Sequence, residues 1–413
     1  MSFCRARLNK RHVMLLAVLL MFTVLNNFSI DIVAIGFLSI STVFIIALFF
    51  LFFELSIKRA LPGPILPILL SGTLLIGIYV VSLMTSGFDQ RAWVVVAELI
   101  MVLAFVISTS IIKWTISDLR LFGVNFSVFI MIVALVYLTI LRAGRGDIIN
   151  KNTIGGFLAF LSYWPILSYV VAEKPRDKRM WFLIDFIILV IIFMIGARST
   201  WLALAGSAIT YLVWPIIKRS KSLFRAWVFL VLGLNALFIS FYLQLSTMPI
   251  FRELDRIVLE YSGGRLYSGR QYLWPPIIEA IKEKQLFGYG VSATPGLFLP
   301  TDLSCHNLYL QISLQFGILG LLFFVVLICV LWDRFWNGRN NKIVRLSAAF
   351  MVAILIHQLF EVSLTQNNMA IGLLQWLIIG QGISFSIGSE IAIHNKSNSS
   401  LSNVSKENLM AAS

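Results

Sequence analysis

Charged residues are scarce in this 413-residue chain: Asp, Glu, Lys and Arg together make up 13% of it, whereas hydrophobic residues make up 59%. A soluble domain cannot bury so large an apolar fraction, which excludes the ordinary globular classes. Apolar runs of about 20 residues recur along the chain, and each is long enough to cross the ~30 Å hydrocarbon core of a bilayer. Because an open sheet edge would leave backbone groups unpaired in lipid, we predict an all-α integral membrane protein.

Cysteine is also scarce, and this limits the kinds of site that the chain can build. Cys4, Cys305 and Cys329 fall in three distant segments, so they cannot form a disulfide framework. No spacing of Cys and His resembles a zinc site, and we expect neither a bound metal nor a cofactor. The first apolar run follows a basic segment but precedes no small-residue cleavage site, so we predict a retained first helix rather than a signal peptide.

The apolar runs predict about 12 transmembrane helices, whose boundaries divide the chain into four parts. Helices 1–9 fill residues 1–245, one large outer loop covers 246–306, helices 10–12 fill 307–388, and a polar, disordered cytoplasmic tail covers 389–413. The predicted spans are 13–28, 30–53, 64–84, 92–112, 121–141, 153–172, 180–196, 200–217, 226–245, 307–332, 346–365 and 369–388.

Lys and Arg in the loops set the predicted orientation, because cytoplasmic loops carry an excess of both residues. Every second loop is basic, which places both termini in the cytoplasm and the 246–306 loop on the opposite side. Most of the net charge of +14 therefore orients the chain rather than binding nucleic acid. The predicted inner clusters are Lys58 and Arg59; Lys113 and Arg120; Lys174, Arg176, Lys178 and Arg179; Lys218, Arg219, Lys221 and Arg225; and Arg334, Arg339, Lys342 and Arg345.

The predicted outer loops nevertheless contain arginines, which the same rule disfavours there. They are Arg91, Arg142, Arg145, Arg198, Arg252, Arg256, Arg265 and Arg270. Contact with solvent or lipid headgroups accounts for Arg91, Arg142 and Arg252. Arg198 differs because it lies in a tight turn between two apolar helices, where a cation that dips inward costs up to ~2.5–3.5 kcal/mol. We therefore expect an anionic partner for Arg198, either a ligand or a group on a distant helix.

The 246–306 loop combines glycines and arginines in a way that suits a phosphate group. Gly263, Gly264 and Gly269 allow tight turns and a close approach of the backbone to a ligand. Arg265 and Arg270 present planar donor forks, each able to hold a phosphate through two hydrogen bonds. This segment is the predicted anion-binding part of the loop.

Trp274 and His306 are further candidate site residues in the same loop. Trp274 offers a flat apolar face for stacking on a sugar or for anchoring at the membrane interface. The residues after it, 277–284, predict a short amphipathic helix lying on the membrane. His306 directly precedes a predicted helix, whose positive end favours the neutral imidazole that a general base needs. A capping or interface histidine fits the same spacing, and both interpretations stay open.

Four ionisable residues lie inside predicted spans: Glu98, Asp185, His357 and Glu361. His357 and Glu361 are four residues apart, so on a continuous helix they share a face and can form a hydrogen bond. Such groups either stabilise a helix bundle or mark an ion pathway, and the sequence does not decide between these roles.

Several of these segments together resemble the O-antigen ligase and O-antigen polymerase superfamily. The similar segments are 196–203 (Gly-Ala-Arg-Ser-Thr-Trp-Leu-Ala), 268–274 (Ser-Gly-Arg-Gln-Tyr-Leu-Trp), 287–290 (Phe-Gly-Tyr-Gly), 306–320 (His-Asn-Leu-Tyr-Leu-Gln-Ile to Phe-Gly-Ile-Leu-Gly) and, more loosely, 150–156 (Asn-Lys-Asn-Thr-Ile-Gly-Gly). The resemblance covers their order, spacing and topology over roughly residues 150–320.

The resemblance implies a GT-C-like membrane glycosyltransferase of the bacterial inner membrane, with a periplasmic active site. Its donor would be an oligosaccharide on undecaprenyl pyrophosphate, and transfer would proceed with inversion and without metal. Arg198 and Arg270, with Arg265 close by, would hold the pyrophosphate, and His306 would activate the acceptor hydroxyl. A chain-length regulator protein is a further partner that the resemblance implies.

The acceptor decides between the two leading interpretations. Polymerisation of O-antigen or capsular repeat units is the first, because the Cys-His-Asn-Leu-Tyr-Leu-Gln form around His306 is closer to polymerases. Ligation of the glycan to the lipid A-core is the second. A peptidoglycan polymerase fits less well, since that family relies on an acidic loop residue. A flippase for lipid-linked oligosaccharide would use the four intramembrane ionisable residues, but no repeat relates the two halves of the chain.

Overall fold

The computed structural model describes residues 7–27, 33–58, 63–86, 89–142, 150–262, 269–301 and 303–411, and across these residues the chain is helical with no β-strand. The helices are α1 (Lys10–Phe22), α2 (Val33–Lys58), α3 (Leu66–Ser86), α4 (Gln90–Ile111), α5 (Ile116–Arg142), α6 (Lys151–Leu161), α7 (Tyr163–Val171), α8 (Pro175–Ile195), α9 (Arg198–Ile217), α10 (Lys221–Thr247), α11 (Pro249–Ser262), α12 (Arg270–Glu283), α13 (Leu308–Arg334), α14 (Lys342–His357) and α15 (Met369–Ala411). The all-α prediction is confirmed.

Nine of the described helical segments are long and apolar enough to cross a membrane. They are Val33–Glu54, Gly63–Met84, Gln90–Ile111, Ile116–Ile140, Lys151–Val171, Arg198–Ile217, Lys221–Leu245, Leu308–Gly338 and Met369–Ile393. α1, with 13 residues, and α14, with 16, are shorter than the roughly 20 residues that a crossing needs. α8 is long enough but carries Lys178, Arg179 and Asp185. Each predicted span overlaps a helix, yet the count of 12 crossings stays a prediction.

α15 lies at the centre of the helix bundle and α10 at its periphery. In the most apolar stretch of each helix, 94% of the residues of α15 are buried, against 17% in α10. α10 turns Leu230, Leu234 and Leu237 outward, as a helix in contact with lipid tails does. α15 packs against α4 and α14, and α14 packs against α9. Beyond the core α15 continues to Ala411, so the described part of the predicted disordered tail is helical.

The predicted outer loop is largely helical, because α11 and α12 occupy most of its described residues. α12 buries Arg270, Trp274, Ile277 and Ala280, whose spacing of three or four residues defines one helical face. Ile277 and Ala280 share a buried cluster with Leu310 of α13. The helix predicted at 277–284 is thus present as part of α12, with its buried face packed against the protein, and its contact with the membrane surface stays a prediction.

α13 is interrupted at Gly317, where the chain after α12 packs against it. Gly317 has a φ of +63° and a ψ of −160°, values that no residue inside a helix adopts. The amide of Ile318, freed by this interruption, donates a 2.7 Å hydrogen bond to the carbonyl oxygen of Gln285. A Cβ atom at position 317 would overlap the backbone of Leu286. Glycine is therefore required at this position both for its conformation and for its size.

Gly288 packs against α13 just before the interruption at Gly317. Its φ is +69°, and a Cβ atom there would lie 2.5 Å from the carbonyl carbon of Gln315. The next two amides, of Tyr289 and Gly290, donate to the carbonyl oxygens of Leu314 and Gln315 at 2.8 and 3.0 Å. The chain at 285–290 and the chain at 314–319, which overlap two of the segments in the sequence resemblance, therefore fit together through their backbones. This contact fixes the end of α12 against α13.

Candidate active site

Arg198 is the first residue of α9 and lies in the turn that separates α9 from α8. α8 ends at Gly196, whose φ of +74° provides the left-handed conformation that reverses the chain. Ala197 is buried, whereas the side chain of Arg198 is exposed. The positive end of the α9 dipole adds to the charge of the guanidinium at this point. The turn predicted from the sequence thus presents a cation at the end of the bundle.

The segment 150–156 packs against this turn through its two glycines. A Cβ atom on Gly155 would overlap the side chain of Ala197, and one on Gly156 would lie 2.7 Å from Nε2 of His357. Small residues here let α6 approach the start of α9 and the end of α14 closely. The segment therefore helps to place Arg198 beside the end of α14, where the rest of the site is found.

Arg270 is the first residue of α12, after Gly269 with a φ of +84°. Only 8% of the residue is exposed. A terminal nitrogen of its guanidinium donates a 2.6 Å hydrogen bond to the carbonyl oxygen of Phe360, and the guanidinium carbon lies 5.5 Å from the centre of the Phe360 ring. Arg270 is therefore held against the segment between α14 and α15.

The charges around Arg270 show which groups are its neighbours. Burial lowers the pKa of the Arg270 guanidinium. Glu361 and Tyr242 act in the opposite direction, and the charge of Arg198 lowers this pKa further. An arginine stays protonated in proteins, so Arg270 remains a cation. The two arginines predicted to share a ligand therefore lie within electrostatic range of each other.

His306 lies two residues before the first residue of α13 in a strained backbone conformation, with a φ of +46°. A residue other than glycine adopts this left-handed region only when its surroundings hold it there. On one side, the indole N–H of Trp274 donates to the carbonyl oxygen of Cys305 at 3.0 Å. On the other side, the side chain of Asn307 caps α13 by accepting a 3.0 Å hydrogen bond from the amide of Leu310. Both neighbours of His306 are thus fixed.

Trp274 itself is fully buried, with its ring centre 5.2 Å from that of Tyr242. Protein therefore encloses its ring in this structure, and its contact with a sugar or with the membrane interface stays a prediction. The reason is that α12 turns this side chain inward, toward α10 and α13. Trp274 instead holds the backbone that leads into His306.

The carboxylate of Glu361 faces the imidazole of His306. Nδ1 of His306 lies 3.6 Å from Oε2 of Glu361, which is longer than a hydrogen bond but within the range of an ion pair. The histidine side chain is 28% exposed and the glutamate side chain 15%, so the carboxylate is the more buried of the two groups. The predicted helical pairing of Glu361 with His357 is not formed, because α14 ends at His357.

The segment that carries Glu361 is braced against α13. The amide of Leu308 donates a 2.8 Å hydrogen bond to the carbonyl oxygen of Gln358. The side-chain oxygen of Gln358 in turn accepts hydrogen bonds from the amides of Ser363 and Leu364, each at 3.2 Å. These contacts fix Glu361 relative to the start of α13 and therefore relative to His306.

Glu361 is the acidic residue next to His306, His357 and Arg270. Burial raises the pKa of its carboxyl group, but the interaction with His306 lowers it. The charges of His357 and Arg270 lower the pKa further. The resulting pKa lies below the ordinary value, so the carboxylate is ionised at neutral pH.

The structure brings Arg198, Arg270 and His306 together at one end of the helix bundle. The N-termini of α9, α12 and α13 meet there too, and their dipoles strengthen the positive potential. Such a place suits an anionic group with a base beside it. Arg265, the other predicted phosphate ligand, lies outside the described residues. Within the described ranges, no group of three or more His, Cys, Asp or Glu side chains is placed to hold a metal ion.

Part of the chain matches a known protein family. Residues 183–325 match the family model described as O-antigen ligase (Wzy_C). The matched range contains Arg198, Arg270 and His306 but ends before Glu361. No curated protein matches the chain. The chain is similar to this family over that segment, which is about a third of its length, and the match confirms the resemblance inferred from the sequence.

Proposed function

We propose that this protein is a glycosyltransferase of the bacterial inner membrane that polymerises O-antigen or capsular repeat units on the periplasmic face. Its donor is a glycan on undecaprenyl pyrophosphate, and its acceptor is a second lipid-linked glycan. The observation that carries the proposal is the convergence of two guanidinium groups and one imidazole at the same end of the bundle, inside the family-matched segment.

The two arginines suit the pyrophosphate of such a donor. A guanidinium presents five N–H donors in a planar fork, which suits the oxygens of a phosphate group. Negative charge develops on the pyrophosphate as it departs, and fixed cations at helix N-termini stabilise it. Since a lipid-linked donor is already activated, we propose that the reaction needs no cofactor.

His306 suits the role of general base. Its imidazole is part-exposed, so an acceptor hydroxyl can approach it. The proton of that hydroxyl passes to Nε2 while the oxygen forms a bond to the anomeric carbon of the donor. The bond between the anomeric carbon and the phosphate oxygen breaks, and its electron pair leaves with the pyrophosphate. Attack from the side opposite the leaving group inverts the anomeric configuration.

The charge distribution along the helices supports a periplasmic site. α8 begins next to the basic segment 174–179 and ends at the turn that holds Arg198. α9 runs back from that turn to a second basic segment, 218–225. α13 runs from His306 to a third, 334–345. The basic ends thus lie opposite the site, which by the positive-inside rule faces away from the cytoplasm.

Ligation to lipid A-core is the second candidate, and the description of the matched family favours it. The two reactions share the donor and differ in the acceptor. Purified protein given a lipid-linked repeat unit alone separates them: elongation of that lipid-linked glycan supports the polymerase. Transfer that occurs only after lipid A-core is added supports the ligase, and no transfer under either condition contradicts both.

A flippase is the alternative from another class, and the pairing of Glu361 with His306 gives it less support. A transport path needs ionisable groups along the bundle, whereas this pair lies at its end with Arg270. The direct test follows lipid-linked units in cells that produce His306→Ala. We expect units to reach the periplasm and remain unextended; accumulation in the cytoplasmic leaflet would support the flippase.

A further inference from the structure

His306 needs a defined tautomer to act as a base, and the structure contains a group that can impose it. A neutral imidazole carries its proton on one nitrogen, and the partner of that nitrogen decides which one. Nδ1 of His306 faces the carboxylate of Glu361 at 3.6 Å. A proton on Nδ1 is therefore favoured, which leaves the lone pair of Nε2 free for an acceptor hydroxyl.

We propose that Glu361 is the positioning residue of His306, so that the two side chains act as a histidine–glutamate dyad. This inference rests on the proposed function. Glu361 touches neither donor nor acceptor; it orients the imidazole and stabilises the imidazolium that forms when the acceptor proton arrives. The same division of roles occurs where a buried carboxylate supports a catalytic histidine in hydrolases.

The backbone contacts show why Glu361 is suited to this role. Leu308, two residues after His306, donates its backbone N–H to the carbonyl oxygen of Gln358. The guanidinium of Arg270 donates to the carbonyl oxygen of Phe360, the residue before Glu361. One short segment therefore joins the proposed donor-binding arginine to the proposed base. This arrangement keeps the proton acceptor at a fixed distance from the anchored pyrophosphate, which supports transfer through proximity and orientation.

The dyad balances the charges of the reaction. Before transfer, Glu361 is an anion next to a neutral imidazole. The acceptor proton then moves to Nε2, and the resulting imidazolium lies beside the carboxylate. The other charged or titratable groups that face Glu361 are His357 at the end of α14 and Arg270 at the start of α12. A change of pH that protonates Glu361 or His306 would stop the proton transfer.

Glu361→Gln keeps the size of the side chain but removes its charge. We expect kcat for glycan transfer to fall on the order of 10²-fold, because the base loses its positioning group. The KM for the lipid-linked donor should not rise, because Arg270 loses an anion that competes with the donor. The acidic limb of the pH profile of kcat/KM should move to lower pH, because the imidazolium loses the anion that stabilises it. Glu361→Asp, which restores the charge, should recover part of kcat.

Asp185→Asn is the matched control, since it removes an acid on α8 that belongs to no part of the proposed site. It should leave kcat and the pH profile unchanged. A wild-type kcat and pH profile in Glu361→Gln would overturn the dyad. If Glu361→Gln does not fold, Glu361→Asp decides through the rate, because Asp keeps the charge but holds the carboxylate farther from the imidazole. A lower kcat with an unchanged donor KM supports the dyad, and a wild-type kcat overturns it.

His306→Ala separates this inference from the proposed function. If His306→Ala is inactive and Glu361→Gln behaves as wild type, the dyad is wrong and the glycosyltransferase proposal stands. If His306→Ala transfers glycan at the wild-type rate, the proposed base is wrong, and the dyad fails with it.

Discussion

The guanidinium of Arg270 donates a 2.6 Å hydrogen bond to the carbonyl oxygen of Phe360. The two residues lie 90 positions apart in the sequence, one at the start of α12 and the other just after α14. The contact joins the last third of the chain to the segment that the family model matches. It also orients a buried cation at the end of the bundle, where we propose that the donor pyrophosphate binds.

Arg270→Ala is expected to lower the rate of glycan transfer about 10²- to 10³-fold, because it removes a fixed donor aimed at the departing pyrophosphate. Arg270→Lys should also lose most activity, since an ammonium cannot replace the planar fork. Both are measured as transfer by purified protein and as the length distribution of cellular glycan. Arg256→Ala is the control: its guanidinium is exposed and paired with Glu253 in the same loop, and a comparable loss there would contradict the assignment.

Arg198→Ala is expected to raise KM for the lipid-linked donor about tenfold or more, with a smaller change in kcat. Its side chain is exposed at the start of α9 and contributes charge to donor binding. The measurement is initial rate against donor concentration, with Arg142→Ala at the end of α5 as the control. An unchanged donor KM in Arg198→Ala would remove it from the site.

Trp274→Phe tests whether this side chain positions the backbone or contacts substrate. Phenylalanine keeps a buried ring but cannot donate to the carbonyl oxygen of Cys305, which costs about 1–3 kcal/mol of folding stability. We expect a lower Tm and a lower kcat, with donor and acceptor KM near the wild-type values. A large rise in acceptor KM at an unchanged Tm would instead restore the predicted sugar contact.

Gly317→Ala is expected to destabilise the protein by about 1–3 kcal/mol, because alanine is strained at this φ and its Cβ would overlap the backbone of Leu286. The check is the Tm in detergent. Gly233→Ala is the matched control: Gly233 lies within α10 with open space around it, so alanine should leave the Tm unchanged or raise it. Equal effects of the two substitutions would show that the contact between Gly317 and residues 285–286 contributes little.

The helices and the shared position of the arginines could be predicted from the sequence, for physical reasons. A run of about 20 apolar residues has few stable conformations in lipid other than a helix. Alternation of the basic loops then predicts that Arg198, Arg270 and His306 lie on one side of the membrane. The resemblance to the O-antigen ligase and polymerase superfamily supplied the proposed roles of these three residues. Their positions at one end of the helix bundle agree with those roles.

The partner of Glu361 and the burial of Trp274 could not be predicted in this way. The four-residue spacing suggested a pair with His357 only on the assumption that the helix continues, and α14 ends at His357. The actual neighbour, His306, is distant in sequence and is brought close by the packing of α13. The buried face of α12 was hard to recognise because Pro275 and Pro276 suggested a helix start rather than a helix interior.

Whether His306 is the base of a glycan transfer can be measured as the release of undecaprenyl pyrophosphate from a lipid-linked donor, with purified wild-type protein and with His306→Ala. We predict that the wild-type protein releases one undecaprenyl pyrophosphate for each glycan transferred. His306→Ala should bind the donor with an unchanged Kd and release almost none. Release by His306→Ala at the wild-type rate would contradict the account.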